Sequence, residues 1–168
     1  MYSVRHRPSG WARAWVTSDG CLSIMSDWGN YAYWWDRRHP TDRNTDHRDF
    51  LCHAGAEYIM GKLAGGAQEI DHDRTVEGIK DRIVRRRRER HLTRDQARDE
   101  WALVESTYFD DEGDKWDWYH RTKLEDAWDV LCYQTPRQLQ MFMKNCWPGL
   151  VEAMRADLQP AAQQGASP

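Results

Sequence analysis

Between Trp11 and Trp35 an alternation of apolar and polar residues is interrupted twice by turn chemistry, at Ser18-Asp19-Gly20 and at Asp27-Trp28-Gly29-Asn30. Few arrangements other than a three-stranded antiparallel meander accommodate that pattern. Strand side chains change face with a period of two. Ala12, Ala14 and Val16 therefore share one face of the first run, with Trp11, Arg13 and Trp15 on the other. Leu22 and Ile24 oppose Cys21, Ser23 and Met25 in the second run, and Ala32 and Trp34 oppose Tyr31, Tyr33 and Trp35 in the third. Both faces of the sheet are thus apolar. Helices of the same chain can cover one face, which leaves the second rich in exposed aromatics and marks it as a binding surface. Trp28 through Trp35 is the densest aromatic stretch, so Trp28, Tyr31, Tyr33 and Trp35 are the expected anchors for a partner.

Beyond a polar stretch holding Pro40, the period changes to that of a helix. Phe50, Leu51, Ala54, Tyr58, Ile59 and Leu63 make the stripe of a first helix that Gly65-Gly66 stops. Asp73 can cap a second, with Val76, Ile79 and Ile83 inward and Arg85-Arg86-Arg87-Arg88-Glu89-Arg90 at its end. Thr93 and Gln96 have capping-box spacing and open a third, carrying Ala97, Trp101, Val104 and Tyr108. After the acidic break from Asp110 to Asp114, a fourth carries Trp116, His120, Leu124, Ala127, Trp128 and Leu131, with His120 expected in the core. Trp101 is expected to be buried against this fourth helix through Trp128. Thr135-Pro136 opens a fifth, which Trp147-Pro148 interrupts before a last segment with Leu150, Val151, Met154 and Leu158. Strands followed by helices, without an internal repeat, predict one α+β domain over residues 1–158: a three-stranded antiparallel meander packed against about five helices, with a flexible tail over 159–168.

A chain of 168 residues can form such a core. No stretch approaches a membrane span, and Arg5-His6-Arg7-Pro8 does not read as the start of a secretory signal, so a cytoplasmic protein is expected. Cys21, Cys52, Cys132 and Cys146 lie far apart without CxxC spacing, which predicts reduced thiols used for packing.

Enzyme chemistry finds little support in the residues. Asp71-His72-Asp73 sets an imidazole between two acids, but neighbours in a cap region rarely converge on one point and no nucleophile motif accompanies them. His39, His47, Cys52 and His53 match no structural zinc spacing, and HExxH is absent. No glycine loop joins a strand to a helix start as a phosphate cradle would. Neither a cofactor nor a metal is expected, and a metal-dependent enzyme stays a minor alternative.

Charge is the second signal. The formal net charge is only −3, yet the signs are segregated along the chain. Arg85, Arg86, Arg87 and Arg88 end a helix, where cations suit the dipole and could meet phosphates; consecutive helical residues spread around the axis, so only some can face one ligand. Asp110, Asp111, Glu112 and Asp114 lead an acid-rich stretch able to steer the chain toward a basic groove.

The run Ile24-Met25-Ser26-Asp27-Trp28-Gly29-Asn30-Tyr31-Ala32-Tyr33-Trp34, with Phe50-Leu51 and Tyr58-Ile59-Met60-Gly61-Lys62-Leu63, resembles small accessory proteins encoded by tailed phages and prophages of proteobacteria. The resemblance spans residues 11–150. It implies a phage context and carries over neither an activity nor catalytic residues. Small phage proteins without enzyme motifs often act by binding host machinery, so the expectation is a non-catalytic inhibitor of a host defence complex of the anti-CRISPR kind. Its partner would be a host protein or nucleoprotein complex. The alternative is a nucleic-acid-binding accessory protein using Arg85 to Arg90 with the aromatic sheet.

Overall fold

The computed structural model describes residues 1–6, 10–36, 46–109 and 111–159, with His6 and Glu112 described by backbone alone. In chain order the strands and helices begin with β1 (Tyr2–His6), β2 (Gly10–Val16), β3 (Cys21–Ser26), β4 (Gly29–Trp34), α1 (His47–His53), α2 (Ala56–Ala64) and β5 (Glu69–Ile70). They continue with α3 (His72–Arg88), α4 (Arg94–Ser106), α5 (Glu112–Arg121), β6 (Tyr133–Gln134), α6 (Arg137–Asn145) and α7 (Trp147–Leu158). The protein is α+β, but its main sheet has four strands where three were expected, and the described residues form seven α-helices against about five. The chain groups into two compact units: Met1–Ala67 with the segment from Thr135 onward, and Gln68–Gln134, an uninterrupted stretch set between the two pieces of the first.

In the first unit the sheet runs β1-β2-β3-β4, antiparallel throughout. The extra strand, β1, carries little signal in the sequence, its alternation resting on Tyr2 and Val4 alone. Gly20 and Gly29 have φ of 94° and 118°, a left-handed region that glycine enters at little cost, which explains them at the two tight turns. Ala12, Ala14, Leu22 and Ile24 point inward and pack with Leu51, Ile59, Leu139, Phe142, Trp147, Leu150 and Met154 from the helices. α7 contacts β1, and α2 and α6 contact β4. A Cβ at Gly149 would lie 2.9 Å from Val4 Cγ1, so glycine there lets α7 approach β1 closely. The expected first helix is two. α1 starts earlier, capped by Asp46, and extended backbone at Ala54 and Gly55 separates it from α2. Pro136 is the N-cap of α6 instead of its first helical residue, and Thr135 does not cap it; Trp147-Pro148 starts α7.

The second unit has its own core, built from Ile79 and Ile83 of α3, Leu92, Val104 of α4, Phe109, Trp118 of α5, Leu124 and Leu131. Asp71, not Asp73, caps α3, its side chain accepting from Arg74 N at 3.1 Å. The Thr93–Gln96 capping box forms as the spacing predicts. α4 ends at Ser106, so Tyr108 lies beyond the helix and is exposed. α5 also ends early. Thr122 leaves the helix, and Glu100, buried in α4, accepts from Thr122 Oγ1 at 2.5 Å and Lys123 N at 2.9 Å. A buried carboxylate needs such donors. Ala127–Val130 then makes a 3-10 turn, and Leu124 and Leu131 reach the core without a continuous fourth helix. His120 is exposed, not in the core. Trp101 is half-buried and does not pair with Trp128, whose ring instead meets Trp116 and Tyr119. All four cysteines are free, and burial raises the thiol pKa of Cys52 and Cys146.

Candidate functional site

Two surfaces combine exposure with recognition chemistry. The first is the face of the sheet turned away from its helices. Register places Arg5 opposite Trp11, Ser3 opposite Arg13, Arg13 opposite Met25, Trp15 opposite Ser23 and Cys21 opposite Trp34, all on that face. Trp34 is 55% exposed, Met25 46% and Trp15 38%. The rings are held in place by polar contacts: Trp34 Nε1 donates to Asp19 O at 2.9 Å, and the Arg13 guanidinium carbon lies 5.9 Å from the Trp11 ring centroid. Asp27 accepts from Trp11 N at 3.1 Å, adding a carboxylate at one end of the patch. Large apolar groups flanked by charges of both signs suit a protein surface, where Trp, Met and Arg are enriched.

The second surface is a groove of about 590 Å3 on α3 and α4. Its floor is apolar, with Ile83, Val84, Ala97 and Ala102, and its rim holds Arg87 and Arg88 of α3 with Arg94 and Arg98 of α4. Helical spread divides the arginine run, as residues four apart share a face. Arg82 Nη2 donates to Glu125 O and Asp126 O at 3.4 and 3.3 Å, while Arg86 pairs with Glu125 at 2.9 Å. Arg87, Arg88 and Arg94 form no ion pair among the described residues, and Arg98 reaches Asp95 only at 3.9 Å. Trp101 lines the groove. Its Nε1 donates to Glu105 Oε1 at 2.9 Å, and Lys80 Nζ lies 4.8 Å from its ring centroid and 3.0 Å from the same carboxylate oxygen. The hydrogen bond from Lys80, and then that from Trp101, hold the Glu105 carboxyl below its ordinary pKa.

The aromatic anchors expected from the sequence lie elsewhere. Tyr31, Tyr33, Trp28 and Trp35 are half-buried and pack against the core on the helix side of the sheet. Tyr31 meets Phe142, and Trp35 meets His47 and Phe50. The face left open is the one carrying Trp34. Arg85 is exposed outside the groove lining, so of the four expected arginines Arg87 and Arg88 are gathered with Arg94, Arg98 and Trp101, which were not anticipated as site residues.

In the acidic set, Asp111 caps α5 by accepting from Asp114 N at 2.9 Å. Asp110 and the side chain of Glu112 lie outside the described residues, as do Arg37, Arg38, His39 and residues 160–168 of the expected tail. Around His72 the polar groups serve local structure: Asp71 caps α3, and His72 Nδ1 accepts from Phe109 N at 3.3 Å. His47 is buried against Trp35 and Phe50, and His53 is exposed. Among the described residues no group of three or more His, Cys, Asp or Glu is placed to hold a metal ion, and no helix is long and apolar enough to cross a membrane.

Comparison with known proteins gives one positive finding. The family model Phage_phiTE_072, described as a phage family, matches residues 2–156. No curated protein and no solved structure matches the chain.

Proposed function

The chain belongs to this phage family, and on that premise we propose that it is a non-catalytic inhibitor that docks on a host defence complex, of the anti-CRISPR kind, through the open face of its sheet. The observation that carries the reading is the exposure of Trp15, Met25 and Trp34 on one side of a sheet whose other side is filled by the chain's own helices. Exposed aromatics on a regular sheet are costly to leave in water and become hot spots once a partner excludes it. Protein is favoured as the partner of this face because, among the described residues, Arg5 and Arg13 are offset by Asp19 and Asp27 and form no basic track for a phosphate backbone.

The test is plating of a sensitive phage on a host with active CRISPR interference, with the protein supplied in trans. The expected result is restored plating with the native chain, and loss of that rescue by Trp15→Ala with Trp34→Ala at unchanged protein level. Failure of the native chain to restore plating, with the matching host effector failing to co-purify with it, overturns the proposal.

A further inference from the structure

We infer that the α3–α4 groove is a separate site for single-stranded nucleic acid, with Arg87, Arg88, Arg94 and Arg98 on the phosphates and Trp101 as the stacking platform. The inference stands on the second unit alone and does not depend on what the sheet face binds.

Three observations point to this ligand. Arginines approach the groove from two helices, and Arg87, Arg88 and Arg94 have no carboxylate partner among the described residues, whereas on α3 Arg86 pairs with Glu125 at 2.9 Å and Arg82 is drawn to the backbone carbonyls of Glu125 and Asp126. Unneutralised guanidiniums collected around one concavity are the electrostatic half of a single-strand site. The second observation is Trp101. With its N–H given to Glu105 and Lys80 over one face of the ring, the half-buried indole is fixed in orientation and has no free donor; what it offers a ligand is the part of its ring that lines the groove. That suits a flat base, which stacks without needing a donor, better than a peptide group.

The third is the floor. Val84, Ala97 and Ala102 are short and apolar, so a planar ring can lie against them, and about 590 Å3 falls within the usual size of a ligand cleft. Glu105, the carboxylate of the lining, is neutralised by Lys80 at 3.0 Å and so offers little repulsion.

The experiment is fluorescence anisotropy of a fluorescein-labelled oligothymidylate with the full chain, as a function of salt. Four neutralised phosphates give a slope of log affinity against log salt of about −3, from about −0.7 per phosphate on single strands. Arg87→Gln with Arg88→Gln should bring it to about −1.4. Val84→Glu, a surface change that places a second carboxylate in the groove, should weaken binding at least tenfold, whereas Arg85→Gln, on the same helix but outside the lining, should change it less than twofold. The inference is overturned if the strand fails to bind at low salt, if the groove variants bind like the native chain, or if Arg85→Gln costs as much as the Arg87 change. Capture of polyglutamate by a chain that ignores the oligonucleotide would assign the groove to an acidic protein instead and equally overturn it.

Discussion

Tyr31 and Phe142 meet with ring centroids 5.4 Å apart, fastening β4 to α6 across the inner face of the sheet. Burial raises the Tyr31 hydroxyl pKa, and that hydroxyl donates to Trp28 O. Replacing Tyr31 and Tyr33 by alanine together should therefore cost about 3 kcal/mol or more of stability through lost packing and residual cavity. Urea unfolding of the purified double variant checks this. A native midpoint would mean that these rings are not core.

The opposite face should respond in the opposite way. Trp15→Ala and Trp34→Ala remove exposed rings, so each should alter unfolding free energy by no more than about 1 kcal/mol. A calorimetric binding titration against the partner should instead show a loss of about 2 kcal/mol for the residue at the centre of the contact.

Gly149 sets two effects against each other. Alanine is the better helix former by about 1 kcal/mol, but its methyl would meet Val4 Cγ1 at 2.9 Å. Valine is stiff at χ1 and cannot swing clear. Gly149→Ala is expected to lower the melting temperature, and adding Val4→Ala should recover part of the loss, a coupling that a double-mutant cycle measures directly.

In the second unit the ring that bears the core is Phe109, 1% exposed and 5.4 Å from Trp118. Phe109→Ala should cost roughly 3 to 5 kcal/mol, and Trp101→Ala less, because Trp101 is only half-buried. Equal losses in chemical denaturation would reverse that ranking.

Acid should loosen Trp101 before it unfolds the chain. The folded pKa of Glu105 lies below its unfolded value, so its bonds to Lys80 and Trp101 add stability above the ordinary glutamate range and lose it as pH falls through the lowered value. A plot of melting temperature against pH should bend downward below about pH 4.3 in the native chain, and Glu105→Gln should flatten that bend. Superimposable curves would show that the interaction contributes nothing.

Much of this was legible in the sequence. The alternation and turns of 11–35 fixed three strands of the meander, and the Thr93–Gln96 spacing placed the start of α4. The choice of sheet face was legible too. In the observed register Tyr33 lies opposite Leu22 and Tyr31 opposite Ile24, on the purely apolar side, whereas Arg13 and Ser23 share the side of Trp34. Aromatic density points to rings that pack inward, whereas the polar neighbours of Trp34 mark the side that stays exposed. Arg94, Arg98 and Trp101, spaced at i, i+4 and i+7, likewise announced one face of α4. The end of α5 was not legible, because Leu124, Ala127 and Leu131 keep a helical period while Glu100, distant in sequence, binds the backbone at Lys123 and stabilises a different path.

Residues 68–134 stand between the two pieces of the first unit, and that order matters while the chain is being made. Leu139, Phe142, Met143, Cys146, Trp147, Leu150 and Met154 supply nearly half of the buried residues under the sheet, and all of them leave the ribosome after the whole second unit. The nascent sheet must then wait with Tyr31 and Leu22 still wet, while the intervening stretch, whose ends are joined by the pairing of Glu69 with Gln134 and Ile70 with Tyr133, has everything it needs to close on itself first.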